Sequence, residues 1–200
     1  MEEANNKCAF CDCINKLYAF SHRRCLAWIG LFLFVLFGVF WTVINPMFRG
    51  AADPSLMDLQ LTFNAQRFHD IIVSWCKSVN NSTDIYKLAT ILLDYIYPII
   101  YSIMLAFGYA AVRGNNIPNR FDRVMFVFPF LAAIFDYIEN TFHILLLRNV
   151  HNLDQALATY YSSLPVALSF ICSALKFFFS YIGILVVIGA IFYRLKKKYF

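Results

Sequence analysis

The sequence predicts an all-α, polytopic membrane protein: a four-helix transmembrane bundle with a short amphipathic helix in its first non-cytoplasmic loop. Three observations predict it. The composition is 60% hydrophobic and only 14% charged over 200 residues, too little polar side chain to cover a soluble domain. Four apolar segments, at about 26–44, 88–112, 124–147 and 164–193, each approach the roughly 20 residues that a helix rising ~1.5 Å per residue needs to cross hydrocarbon. Basic residues are also unequally distributed between the two sets of flanking segments. Lys7, Lys16, Arg23 and Arg24 precede the first span, Arg113, Arg120 and Arg123 join the second to the third, and Arg194, Lys196, Lys197 and Lys198 follow the fourth. That places eleven on one side against five (Arg49, Arg67, Lys77, Lys87, Arg148) on the other, so both tails are expected in the cytoplasm.

The division that follows is a cysteine-containing tail (1–25), a membrane domain (26–193) and a basic tail (194–200). The net charge of +5 does not call for nucleic acid, because the basic residues flank apolar runs and read as topology signals and contacts to anionic lipid. The first span, Leu26–Ile44, is uncharged. Its 25-residue lead and lack of a small-x-small cleavage site predict a retained helix rather than a signal peptide. The second span carries Asp94, the third Asp136 and Glu139, and the fourth Lys176.

The one sizeable extramembrane element is the non-cytoplasmic loop 45–87, broken at Pro46, Gly50 and Pro54. Leu59, Leu61 and Phe63 alternate with polar residues, which predicts a short extended stretch. From Ala65 the period changes: Phe68, Ile71, Ile72 and Trp75 stand at i, i+3, i+4 and i+7 on one helical face, with Asn64 as N-cap. This helix is expected on the membrane surface or across the end of the bundle, either packing only or covering a site, with Asp58 and Trp75 as lid or second shell. Asn80 and Asn81 head two overlapping glycosylation sequons on the side where modification occurs.

Of the six cysteines, Cys8, Cys11, Cys13 and Cys25 fall in the cytoplasmic tail, where disulfides do not persist. Their spacing with His22 matches no standard finger, so no metal and no cofactor is expected; Cys25, beside the first span, is an acylation candidate. Lys197 and Lys198 stand in the register of a dilysine address for the endoplasmic reticulum.

The informative residues lie inside the spans. Asp94, Tyr97 and Tyr101 fall at i, i+3 and i+7 of the second. Asp136, Glu139, Asn140 and His143 fall at i, i+3, i+4 and i+7 of the third. Ser169, Ser173, Lys176 and Ser180 share a face of the fourth, whereas the first span has no such stripe. Counted at ~1.5 Å per residue, the three sets meet in the outer half or middle of the bundle. A charge at that depth costs ~2.5–3.5 kcal/mol, so Lys176 is expected to pair with Asp136 or Glu139. Three carboxyls against one lysine leave at least one expected in neutral form, since burial disfavours charge. A hydrogen-bond network that merely holds helices together would use such residues too. Two carboxyls, an amide and an imidazole within two turns of one helix exceed that need and mark a ligand, proton or substrate site. The chain carries no G-x-S-x-G, H-E-x-x-H, P-loop or G-x-G-x-x-G signature of a soluble enzyme.

The segment Met57-Asp58-Leu59-Gln60, the Phe68–Trp75 stretch, Asp94 before Pro98 and the lysine-rich C-terminus resemble the superfamily that contains the sigma-2 receptor and the emopamil-binding sterol isomerases (EXPERA-type proteins). That resemblance implies residence in the endoplasmic reticulum, sterol-like or cationic amphiphilic ligands, and Asp58 and Asp94 as ligand-site acids. Asp94-x-x-x-Pro98, Asp136-x-x-Glu139-Asn140 and Lys176 are also similar to uncharacterised four-span bacterial proteins. Three functions compete on this sequence: a lipid- or sterol-binding protein with isomerase-like acid–base chemistry, a proton-coupled carrier or channel, and a structural tetraspan without ligand. Membrane lipids are the expected partners, and the oligomeric state is left open.

Overall fold

The structure is a computed structural model that describes residues 9–21, 56–78, 82–89, 94–114 and 117–199, with isolated helical positions (Trp28, Leu31, Phe32, Val35, Leu36, Gly38, Val39) between 28 and 39. Most of the first expected span, Cys25, Asn80 and Asn81 lie outside the described residues. Every regular element among the described residues is a helix. Those with described bounds are α1 (Ala9–Ser21), α2 (Leu56–Gln60), α3 (Ala65–Ser78), α4 (Ser82–Ala89), α5 (Tyr97–Arg113), α6 (Arg120–Leu147), α7 (Leu153–Ala158) and α8 (Ser163–Tyr199).

The long helices α6 and α8 pack against each other most extensively, and α5 leans on both. Local chemistry sets their ends. Pro98 falls in the first turn of α5, where a missing N–H costs nothing. Gly114 closes α5 at φ +70°, its N–H bonding Ala110 O at 3.1 Å, a left-handed cap that suits glycine. Arg194 Nη1 reaches Ala111 O (3.1 Å) and Val112 O (3.3 Å), so a cation from α8 occupies the last carbonyls of α5. Asn119 and Asp122 cap α6 reciprocally, side chain to backbone N–H at 2.8 and 3.2 Å. Asn64 caps α3 as the sequence predicts, accepting from Gln66 N (2.8 Å) and Arg67 N (3.1 Å).

Two expectations need correction. The stretch around Leu59 is not extended at its start: 56–60 form the helical turn α2. Leu59 is buried, but Leu61 and Phe63 are 45% and 67% exposed, so the three never shared a face. The second span is not one described helix either. The chain is not α-helical at 94–96, ahead of Pro98, and α5 begins only at Tyr97. The helices α4 and α7 were not anticipated. Asn152 caps α7 on Gln155 N (2.9 Å), and Gln155 Oε1 accepts His151 N (2.8 Å) in return.

The interior is layered. One apolar cluster joins α3, α4 and the turn after α6 through Phe68, Ile72, Trp75, Tyr86, Leu147 and Val150. Another packs Ile14 and Tyr18 of α1 on Phe107 and Phe126. A smaller one holds Tyr101, Leu105 and Ala132 in the middle of the bundle. Buried polar side chains of α6 and α8 lie between the first cluster and the middle one: His143 stacks near Phe68, and Tyr101 touches Asp136.

Among the described residues one helix, Ser163–Lys196 of α8, is long and apolar enough to cross a membrane by length and composition; α5 is a shorter apolar helix. Only 17% of the apolar window of α8 is buried, which is unlike the core helix of a soluble fold. Its exposed residues include Ile171, Phe178, Leu185, Ile188 and Phe192.

Candidate functional site

The site is built on consecutive turns of α6. Asp136, Glu139, Asn140 and His143 recur at three- and four-residue spacing, so one face of the helix carries all four, and all four are buried. The facing stripe of α8 brings Ser169, Ser173 and Lys176 inside with them. Lys176 Nζ lies 2.6 Å from Glu139 Oε2 and 3.3 Å from Asp136 Oδ1. The sequence expected one partner; the ammonium bridges both acids, because they sit nearly one turn apart and a single Lys reaches between them. The ammonium of Lys176 also stands over the Phe177 ring, its Nζ 5.0 Å from the centroid.

From Asp136 the network continues to α5. Tyr101 OH donates to Asp136 Oδ2 at 3.3 Å, and Tyr97 stacks edge-on against Tyr101 with centroids 5.3 Å apart. Asn140 Nδ2 is shared between Asp136 Oδ1 (3.3 Å) and the backbone carbonyl of Asp94 (3.2 Å). This last contact ties the 94–96 segment, which is not α-helical, to α6, as does Tyr137 OH donating to Tyr95 O at 2.8 Å. Asp94 meets the site through its main chain and also through its side chain, which is largely buried and within electrostatic range of Asp136, Lys176 and Glu139.

From Glu139 the network continues toward the short helices. His143 Nδ1 is 4.0 Å from Glu139 Oε1 and 2.9 Å from Tyr86 OH, while Nε2 is 2.8 Å from Ser169 Oγ. Both ring nitrogens face hydroxyls, each of which donates or accepts, so the Tyr86–His143–Ser169 chain accommodates either ring tautomer. Ser173 donates to Ser169 O at 3.0 Å. Trp75 packs on Tyr86 with centroids 5.5 Å apart, which puts it one residue removed from His143. Asp58 is exposed on α2, outside the buried cluster.

The donor and acceptor count of this cluster does not close. Glu139 Oε1 and Asn140 Oδ1 are buried and have no hydrogen-bond partner among the described residues. Leaving such an acceptor unmatched costs about 1–3 kcal/mol, and buried polar atoms in folded proteins are rarely left so.

Tyr86 escaped the sequence reading because the second span was started at 88, two residues too late to include it. Ser169 was placed on the right face of its helix but offered no chemistry until His143 came opposite. A further buried acid, Asp122, was missed as such: it accepts Tyr109 OH at 2.6 Å and Arg113 Nε at 2.9 Å, besides capping α6. The Asn119-x-x-Asp122 spacing was the available signal.

No protein-family model matches the chain, and no curated protein and no solved structure matches it.

Proposed function

We propose that this is a four-span integral membrane protein, with both termini in the cytoplasm, that holds the polar head of a lipid- or sterol-like amphiphile against Glu139 and Asn140. The membrane assignment is supported by the inversion of the surface: Asp136, Glu139, Asn140 and Lys176, within the apolar stretches of α6 and α8, are buried, while the outer faces carry leucine, isoleucine and phenylalanine. The single observation that carries the binding reading is the pair of buried, unmatched acceptors, Glu139 Oε1 and Asn140 Oδ1. A hydroxyl or ammonium group supplies the donor that both lack. The ammonium of Lys176 would keep Glu139 and Asp136 aligned while the ligand binds. Isomerase-like chemistry is the extension of this proposal: Glu139 would take a proton from the bound molecule, and the Tyr86–His143–Ser169 chain would return one. The resemblance to the sterol-isomerase superfamily points to the same class of ligand. Lys197 and Lys198 would address the protein to the endoplasmic reticulum.

The competing reading, a scaffold without ligand, is favoured by the double ion pair of Lys176, which by itself ties α6 to α8. Mass spectrometry of small molecules retained through purification separates the two. Asn140→Leu should reduce retention of the bound amphiphile about tenfold, the loss of roughly one good hydrogen bond to a buried ligand group. Full retention in that variant, or a protein that carries no amphiphile at all, would decide for the scaffold.

A further inference from the structure

A second region of the molecule, remote in sequence from the polar cluster, carries features of a binding site of a different kind. Helix α1 lies beside the start of α6, and between them runs a groove of about 560 Å³. Ile14 of α1 and Val127, Phe128 and Leu131 of α6 make its walls apolar, and Arg120 and Arg123 stand at the beginning of α6. Neither arginine makes an ion pair among the described residues, and Arg123 Nε is buried without a hydrogen-bond partner. The neighbouring acids are committed elsewhere. Asp12 of α1 pairs with Lys16 at 3.0 Å, and Asp122 is turned inward to Tyr109 and Arg113. The start of α6 adds the positive end of a helix dipole beside the two guanidiniums.

Such a groove has charge at one end and hydrocarbon character along the rest. From Arg120 to Leu131 α6 advances roughly 16 Å at its rise of ~1.5 Å per residue. Half the thickness of a bilayer's hydrocarbon core is about 15 Å. The distance from Arg120 to the far end of the apolar wall therefore matches the reach of one lipid from the headgroup plane to the midplane. The excess of basic residues puts this end at the cytoplasmic leaflet, where anionic lipids are concentrated.

We propose that the α1–α6 groove is a binding site for an anionic glycerophospholipid, its phosphate held by Arg120 and Arg123 and one acyl chain laid along Val127, Phe128 and Leu131. The site rests on the membrane assignment made above and not on the Glu139–Asn140 site. Native mass spectrometry of the full chain released from detergent tests it, with phosphatidylglycerol and phosphatidylcholine of equal chain length as probes. Wild type should bind phosphatidylglycerol about tenfold more tightly than phosphatidylcholine, and R120Q/R123Q should bring the two to within about twofold. V127W, which fills the groove and leaves the charge in place, should weaken both lipids. Should R120Q/R123Q lose its helical circular dichroism, R120Q alone carries the test, because Arg120 is exposed; it should lose about half of the preference on a logarithmic scale. Equal binding of the two lipids by wild type, a preference that survives loss of the arginines, or unchanged binding by V127W would overturn the proposal. Thermal stabilisation by inorganic phosphate equal to that by phosphatidylglycerol would show a free-anion site instead and also overturn it. A chain that stays monodisperse without detergent would defeat the membrane assignment itself, whereas wild-type lipid binding in Asn140→Leu would leave this site standing whatever becomes of the other.

Discussion

Two buried acids on the same helix, Asp122 in the first turn of α6 and Glu139 nearly five turns later, have opposite surroundings. Both are fully buried. Asp122 receives a tyrosine hydroxyl and a guanidinium from the last turns of α5 and a backbone N–H from the α5–α6 connection. Burial alone would raise its carboxyl, but the hydrogen bonds from Tyr109 and Arg113 outweigh that and hold it below its ordinary value of 3.8. Glu139 pairs closely with Lys176, which it shares with Asp136, has the Ser173 hydroxyl beside it, and keeps an oxygen, Oε1, outside hydrogen-bonding geometry. The first arrangement closes on itself and fastens a turn. The second leaves acceptor capacity over, in a place where spare capacity is expensive unless something uses it.

The comparison breaks most visibly at Lys176. Lys176→Met should destabilise the protein by about 3–5 kcal/mol, since it strands two carboxyls in the interior. Glu139→Gln added to it should restore part of the loss and Asp136→Asn the remainder, because the ammonium serves both acids. Thermal unfolding in detergent of the single, double and triple variants measures this; a full rescue by Glu139→Gln alone would show that the Asp136 contact carries no weight.

Asp122→Asn should cost less, about 1.5–3 kcal/mol, the range for hydrogen bonds to a charged group. It should leave any retained amphiphile unchanged. The same acid gives a pH signature with a definite sign. Its folded-state carboxyl lies below 3.8 and its unfolded one near that value, so its contribution is complete above pH 3.8 and is lost as pH falls through the lower, folded value. Wild type should therefore lose stability below pH 4 more steeply than Asp122→Asn, as followed by circular dichroism.

Glu139→Gln alone sharpens the contrast from the other side. Asp136 remains to pair Lys176, so melting should shift by no more than about 1 kcal/mol equivalent, while retention of a cationic or hydroxylated amphiphile drops about tenfold. A melt as damaged as that of Lys176→Met, with ligand kept, would make Glu139 as structural as Asp122. The smallest effect is expected at Asp84. Lys87 at 2.7 Å, and with it His151 at 2.8 Å, holds that carboxyl below its ordinary value, but the group is 41% exposed. Asp84→Asn should cost only about 0.2–1 kcal/mol, and less in high salt, by chemical denaturation.

Much of this was legible in the sequence. Period and spacing alone put Asp136, Glu139, Asn140 and His143 on one face of the third apolar segment and Ser169, Ser173 and Lys176 on one face of the fourth, because a helix repeats every 3.6 residues whatever it packs against. The composition and long apolar runs led to an all-helical chain, and Asn64 marked the start of α3 through a cap that needs only its next few neighbours. Where the local pattern was short it misled: period two across 59–63 is equally what a helical turn followed by coil produces.

The tertiary structure decided the relations between helices. Which acid Lys176 meets depends on the rotation and offset of α8 against α6, which no periodicity within either helix contains. Tyr86 reaches His143 only because α4 folds across the end of α6, and Asn140 finds the carbonyl of Asp94 where the chain is not α-helical, just before Pro98. The sequence determined which residues share a face; packing, through contacts between residues tens of positions apart, determined which faces meet and left Glu139 Oε1 and Asn140 Oδ1 without a donor.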